Sequence, residues 1–244
     1  MARLGIIGGS AFLEGGPPPG AEPRDVETDR GRVRAHAGGS FVFLSRHGEG
    51  DTYRPPHRVR HHAHALALDR LGVERAVGLC SVGALHREIE LGAAVVPEDY
   101  LSLQAPPTFA GDERLHVVPE LDGELRRLLL DVAREVGDPV REGVYAQTAG
   151  PRFETRAEVR LLADYADVVG MTAASEATLC QERGIDYAAL AIVDNHAHGV
   201  TGEELSLEAF EEKQAENRGR ARAALRILID RSRTLETDAG EETT

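Results

Sequence analysis

The stretch from Val168 to Val193 decides the fold. Val168-Val-Gly170 is a short apolar run, Ala174-Ser-Glu-Ala-Thr-Leu-Cys-Gln-Glu-Arg183 reads as a helix free of Gly and Pro, and Tyr187-Ala-Ala-Leu-Ala-Ile-Val193 is a second apolar run. Strand, helix and strand in that order form the repeating unit of an α/β domain, and the alternation continues in both directions to about residue 232. Upstream, strands are predicted at 4–7, 33–37, 41–45, 75–81, 94–100 and 140–147. Helices are predicted at 58–71, 122–136, 155–165, 174–183 and 208–233, with 203–207 as the approach to the last. The Gly, Pro and acid-rich segment 15–30 reads as a surface loop, and 236–244 as a frayed acidic tail. No internal repeat or linker divides residues 1–235, so one domain built on a mixed or parallel sheet is expected.

Composition narrows the function. The 244 residues are 41% hydrophobic, enough for one sizeable core. No apolar run reaches the roughly 18 residues needed to span a bilayer, and the N-terminal residues enter a strand-like run and not a signal-peptide core. A soluble, cytoplasmic protein with no membrane partner is expected. The net charge of -13 argues against a nucleic-acid partner, because phosphate neutralisation needs a basic surface. A small anion is still allowed, since a few buried arginines can build a local positive pocket. Cys80 and Cys180 lack metal or redox spacing and read as buried free thiols.

Three strand ends carry residues suited to an anion. Gly5-Ile-Ile-Gly-Gly-Ser10 ends a strand in bare amides and a hydroxyl, although glycines there are equally common for steric reasons. Ser45-Arg-His-Gly48 closes another strand with a guanidinium fork and an imidazole, which suit phosphate oxygens. Cys80-Ser-Val-Gly-Ala84 places small residues at the end of a third, where backbone can approach a ligand.

These motifs, with SVGALHREIELG at 81–92, GVYAQTAGPRFETRAE at 143–158 and GMTAASEATLCQERGIDYAALAIVDN at 170–195, follow the order and spacing of a known family. The chain resembles, over almost its whole length, the trimeric purine nucleoside phosphorylases and methylthioadenosine phosphorylases. The resemblance implies a three-layer α/β/α domain with a mixed, partly barrel-like sheet, and no metal or cofactor, inorganic phosphate being a co-substrate. It implies a phosphate pocket of Ser10, Arg46, His47, Ser81 and Thr172, with Val82, Gly83 and Met171 beside the purine and ribose. It also implies a homotrimer, or a hexamer of such units, in which His116 of one copy covers the sugar of the next.

Within that resemblance, Phe153 is placed to stack on the purine, and Glu154 and Asn195 indicate which purine. An Asn can donate to O6 and accept from a protonated N7, whereas an ionised Asp only accepts and suits a 6-amino group. Glu154 can accept from the N1–H of hypoxanthine or guanine, which adenine lacks. Both positions therefore point to a 6-oxopurine, with Asn195 and Glu154 as the catalytic pair. Leu207 falls near the sugar 5' end, where an apolar side chain would welcome a methylthio group and leave a hydroxyl unpaired.

Other clusters are read more plainly. His57, His61, His62 and His64 do not converge as metal ligands and are expected on a solvated or subunit-facing helix surface. Asp194, His196 and His198 are candidates for lining the base pocket or capping a loop, and Arg218, Arg220 and Arg222 for a solvated helix face. The expected activity is phosphorolysis of inosine, guanosine or methylthioinosine. Its rivals are a methylthioadenosine phosphorylase, a nucleoside hydrolase and a non-catalytic purine-binding protein on the same fold.

Overall fold

The computed structural model describes residues 3–14, 16–50, 52–112, 114–137, 139–202 and 206–238. Among them run nine strands: β1 (Arg3–Gly8), β2 (Glu22–Val26), β3 (Val33–Ala37), β4 (Phe41–Ser45), β5 (Val73–Ala84), β6 (Ala94–Ser102), β7 (Val140–Gln147), β8 (Val168–Gly170) and β9 (Asp186–His196). Five α-helices accompany them: α1 (His61–Arg70), α2 (Gly123–Val136), α3 (Arg156–Ala163), α4 (Ala173–Glu182) and α5 (Leu207–Asp238). The stretch that opened the sequence reading is β8–α4–β9.

The strands form one mixed sheet in the order β2-β3-β4-β1-β5-β8-β7-β6-β9, and β9 also pairs with β5. That second pairing closes β5, β8, β7, β6 and β9 into a ring, while β1 to β4 extend it as an open wing. The parallel β5–β9 ladder, from Arg75↔Asp186 to Ala84↔His196, carries the centre. The expected barrel-like character lies in this ring, and helices layer both faces of the sheet, α1 and α4 on one and α2 and α5 on the other.

Alternation along the strands sorts the core. Ile7, Val42 and Leu44 pack with Ala67 and Leu68 of α1 and Ala177 of α4. Their neighbours Ile6, Phe41 and Phe43 point the other way, against Leu129 of α2 and Leu225 and Leu228 of α5. Cys80 and Cys180 are both buried free thiols, as expected.

Four expectations are corrected or sharpened. Segment 15–30 is not all loop: β2 runs antiparallel to β3 from Glu22↔Ala37 to Val26↔Val33. Only Val26 of its five residues is buried, and Pro23 is tolerated because β2 is the sheet edge, so the strand shows no apolar pattern. The histidines do not share one solvated face: His57 is exposed, but His61 and His62 are partly covered and His64 is buried. His64 is 5% exposed, burial pushes His61 down to about 4, and His62 Nε2 lies 3.0 Å from the Thr108 carbonyl. The arginines of α5 lie at the exposed or half-exposed surface expected of them but are also tied down there: Arg220 donates to the Gly92 carbonyl at 3.0 Å, and Arg218 and Arg222 both reach Glu14. Finally, α5 continues to Asp238, past residue 236 where a tail was expected. Residues 239–244, and 203–205 of the expected approach to α5, lie outside the described residues. No helix of the described residues is long and apolar enough to cross a membrane.

Candidate active site

The carboxyl ends of β1, β4 and β5 meet the start of α4 around a cavity of about 190 Å³. Ser10, Arg46, His47, Ser81 and Thr172 all line it. So do Val82, Gly83, Met171, Phe153, Glu154, Asn195 and Leu207. His116 does not. It lines a separate surface cavity with Tyr100 and Glu182.

Gly9 explains how Arg46 reaches its place. A Cβ on Gly9 would stand 2.5 Å from Arg46 Nη1 and 2.7 Å from the Leu79 carbonyl, so only glycine lets the guanidinium pass under the turn after β1. Arg46 is 2% exposed and bound bidentately to Glu176, Nε to Oε1 at 2.6 Å and Nη2 to Oε2 at 2.8 Å. Nη1 donates to the Leu79 carbonyl at 2.9 Å, and Tyr187 Oη donates to Glu176 Oε2 at 2.8 Å. Burial pushes the Glu176 carboxyl up, but the adjacent guanidinium outweighs it and holds the group below its ordinary value. The pair presents little net charge to the cleft, so an anion there would rely largely on neutral groups.

His47 is neutral and held in one tautomer, with an acceptor nitrogen left over. Its Nδ1 lies 2.8 Å from the Arg54 carbonyl, which only accepts, so Nδ1 carries the proton and Nε2 does not. Burial, aided by Arg46, pushes the imidazole down to about 4. It is therefore neutral near pH 7. At Thr172, the cap of α4, Tyr145 Oη accepts from the Thr172 and Ala173 amides at 3.2 and 3.3 Å, and Gln147 Oε1 accepts from the Ser175 amide at 3.0 Å. The Ala173 and Ser175 amides at the start of α4 are thus satisfied within the protein.

The two serines behave differently. Ser10 Oγ accepts from Gln214 Nε2 at 2.7 Å, whereas Ser81 Oγ donates to the Asp194 carboxylate. Burial raises the Asp194 carboxyl, and its bonds from Ser81 and Asn217 pull it partly back.

At the other groups, Phe153 and Glu154 sit just before α3, and a capping box fixes them there. Thr155 Oγ1 accepts from the Glu158 amide, and Glu158 accepts from the Thr155 amide and from Arg152. Glu154 is buried, and Thr148 Oγ1 donates to its Oε1 at 2.6 Å, which leaves Oε2 for another donor. Asn195 Nδ2 donates to the His196 carbonyl at 2.9 Å. The neighbouring candidates fall outside the cleft: Asp194 is buried behind it, His196 Nε2 lies 3.0 Å from the Ile89 carbonyl, and His198 accepts from Arg156 at 3.3 Å.

The sequence reading missed Tyr53, Pro56, Pro151, Val169, Gly170 and Phe210, which complete the lining. Phe210 meets Phe153 edge to face with ring centroids 5.8 Å apart. Its spacing of one turn from Leu207 was the available signal, because residues three apart share a helix face.

The arrangement gathers hydroxyls, a buried guanidinium, a neutral imidazole, a carboxylate, an amide and an aromatic wall into one cleft. Comparison with known proteins gives the family. The chain is 38% identical to a probable 6-oxopurine nucleoside phosphorylase of Archaeoglobus fulgidus, over 92% of this chain and 93% of that one. It is 36% identical to a probable S-methyl-5'-thioinosine phosphorylase of Methanosarcina acetivorans, over 94% and 89%. A solved methylthioadenosine phosphorylase from an antarctic soil metagenomic library superposes with a TM-score of 0.77 at 28% identity, covering 94% of this chain and 86% of that one. The sequence profile of the phosphorylase superfamily matches residues 4–230, and the chain belongs to that superfamily.

Proposed function

We propose that this chain cleaves the N-glycosidic bond of 6-oxopurine nucleosides with inorganic phosphate, releasing the free purine and ribose 1-phosphate or its 5-methylthio counterpart. The observation that carries the reading is the convergence of Ser10, Arg46, His47, Ser81 and Thr172 with Phe153, Glu154 and Asn195 on one cleft. As the bond to C1' stretches, the sugar gains oxocarbenium character and phosphate waits on its opposite face. The leaving purine gathers negative charge, which Asn195 and Glu154 stabilise as a proton settles on N7. No enzyme nucleophile takes part, so this is a direct transfer of the pentosyl group to phosphate.

The hydrogen-bond types of Asn195 and Glu154 favour the 6-oxopurine over the 6-aminopurine, and so favour the activities named for the first two relatives over methylthioadenosine cleavage. At the sugar, Leu207 and Phe210 give the cleft an apolar wall, which favours a 5'-methylthio group over a hydroxyl. The reading includes a homotrimer in which His116 of one copy closes the sugar end of the next, and a cytoplasmic role in purine salvage.

The test is a panel of inosine, guanosine, adenosine, methylthioinosine and methylthioadenosine, each with and without phosphate. Phosphate-dependent release of hypoxanthine supports the reading. Release without phosphate would make the chain a hydrolase, preference for the adenine nucleosides would make it a methylthioadenosine phosphorylase, and binding without turnover would leave a purine-binding protein.

A further inference from the structure

Each serine hydroxyl in the cleft has one proton, and helix α5 determines where each proton goes. Gln214 and Asn217, three residues apart on its buried face, are the two groups responsible. Asn217 Nδ2 donates to Asp194 Oδ1 at 2.8 Å, and Asp194 takes the Ser81 proton through its other oxygen. Ser81 therefore turns oxygen lone pairs, and no hydroxyl proton, toward the cleft. Gln214 acts in the opposite sense. Its Nε2 fills an acceptor site on Ser10 Oγ at 2.7 Å, so Ser10 keeps its proton free to donate. Ser10 lines the cleft, whereas Gln214 lines only the small space behind it, with Ser81 and Asp194.

We infer that Gln214 is a positioning residue for the oxyanion co-substrate: by donating to Ser10 Oγ it fixes that hydroxyl as a donor to phosphate. The inference rests on the phosphate reading above. A rotor held by one bond loses less freedom when phosphate binds, and an acceptor-only group at 214 would reverse its direction. Glutamate is that group, since an ionised carboxylate would capture the Ser10 proton.

The experiment measures KM for phosphate and for the nucleoside in wild type, Gln214→Ala, Gln214→Glu, Ser10→Ala and the double variant Ser10→Ala/Gln214→Ala. Gln214→Ala should raise the phosphate KM on the order of fivefold, and Gln214→Glu on the order of tenfold or more, with the nucleoside KM unchanged to about twofold. In the Ser10→Ala background the alanine change should add nothing, because Gln214 acts through that hydroxyl. A purely packing role would lower the melting temperature and affect both substrates alike. The inference is overturned by a wild-type phosphate KM in Gln214→Glu, or by an equal effect of Gln214→Ala with and without the Ser10 hydroxyl. Wild-type turnover that needs no phosphate would overturn the phosphate reading and this inference together, so the two failures are distinguishable.

Discussion

Replacing Glu176 with glutamine tests the electrostatic centre of the site. Arg46 and Glu176 are each 2% exposed at the side chain, and the carboxylate holds two guanidinium contacts and the Tyr187 hydroxyl. Glutamine keeps the shape but removes the charge, and turns an amide donor against Arg46, itself a donor with no acceptor capacity. Breaking a buried pair by removing one partner costs about 3–5 kcal/mol, since the remaining charge stays desolvated. A chain of 244 residues has an unfolding entropy of roughly 0.5 kcal/mol per kelvin, so the melting point should fall by about 6–10 °C. Urea unfolding at pH 7 without phosphate gives the same quantity from the shift in midpoint, provided the slope is unchanged. A second variant tests the cause. Arg46→Met/Glu176→Leu/Tyr187→Phe removes the whole network together and should recover at least half of the loss, because apolar groups of similar volume can replace a buried pair without the desolvation cost. A loss below about 1 kcal/mol in Glu176→Gln, or a triple variant no more stable than the single one, would refute the reasoning.

Asn195→Ala should lose most turnover on inosine-type substrates, and Asn195→Asp should shift preference toward adenine nucleosides; near-normal rates or an unchanged inosine-to-adenosine ratio would remove Asn195 from its role. Gly9→Ala should raise the phosphate KM and cost about 1–3 kcal/mol, since its Cβ would meet Arg46 and the Leu79 carbonyl; an unperturbed variant would show that the turn can yield. His47 titrates near 4 folded against about 6.5 unfolded, so between those values the unfolded chain binds the proton that the folded one refuses. Its contribution is complete above about pH 6.5 and is lost as pH falls to about 4, roughly 3 kcal/mol in all, so His47→Asn should flatten the fall of urea stability between pH 7 and 4.5. Identical slopes in the two proteins would reject the assignment.

What the sequence made legible depended on whether a residue's neighbours were local. The strands at 33–37, 41–45, 140–147 and 168–170 have the bounds their apolar runs predict, because each is bounded by polar or Gly-rich sequence. β5 and β9 run past the predicted 81 and 193, to Ala84 and His196. Ser81, Gly83, Asp194 and Asn195 have the composition of a turn, and they remain in extended backbone because the two strands pair with each other there. Ser81, Gly83 and Asn195 are cleft residues, so the same ladder that hid the strand ends also positions the chemistry. Glu154 was readable because it stands inside a contiguous motif, GVYAQTAGPRFETRAE, whereas the buried partner of Arg46 lies 130 residues away at Glu176. Gln214 was harder still. Amid the charged residues of α5, nothing in its sequence context marks a polar side chain that turns inward to Ser10, 204 positions distant. Motifs thus expose the groups that face the ligand, while the groups that set their protons and charges come from remote elements and emerge only when the chain is folded.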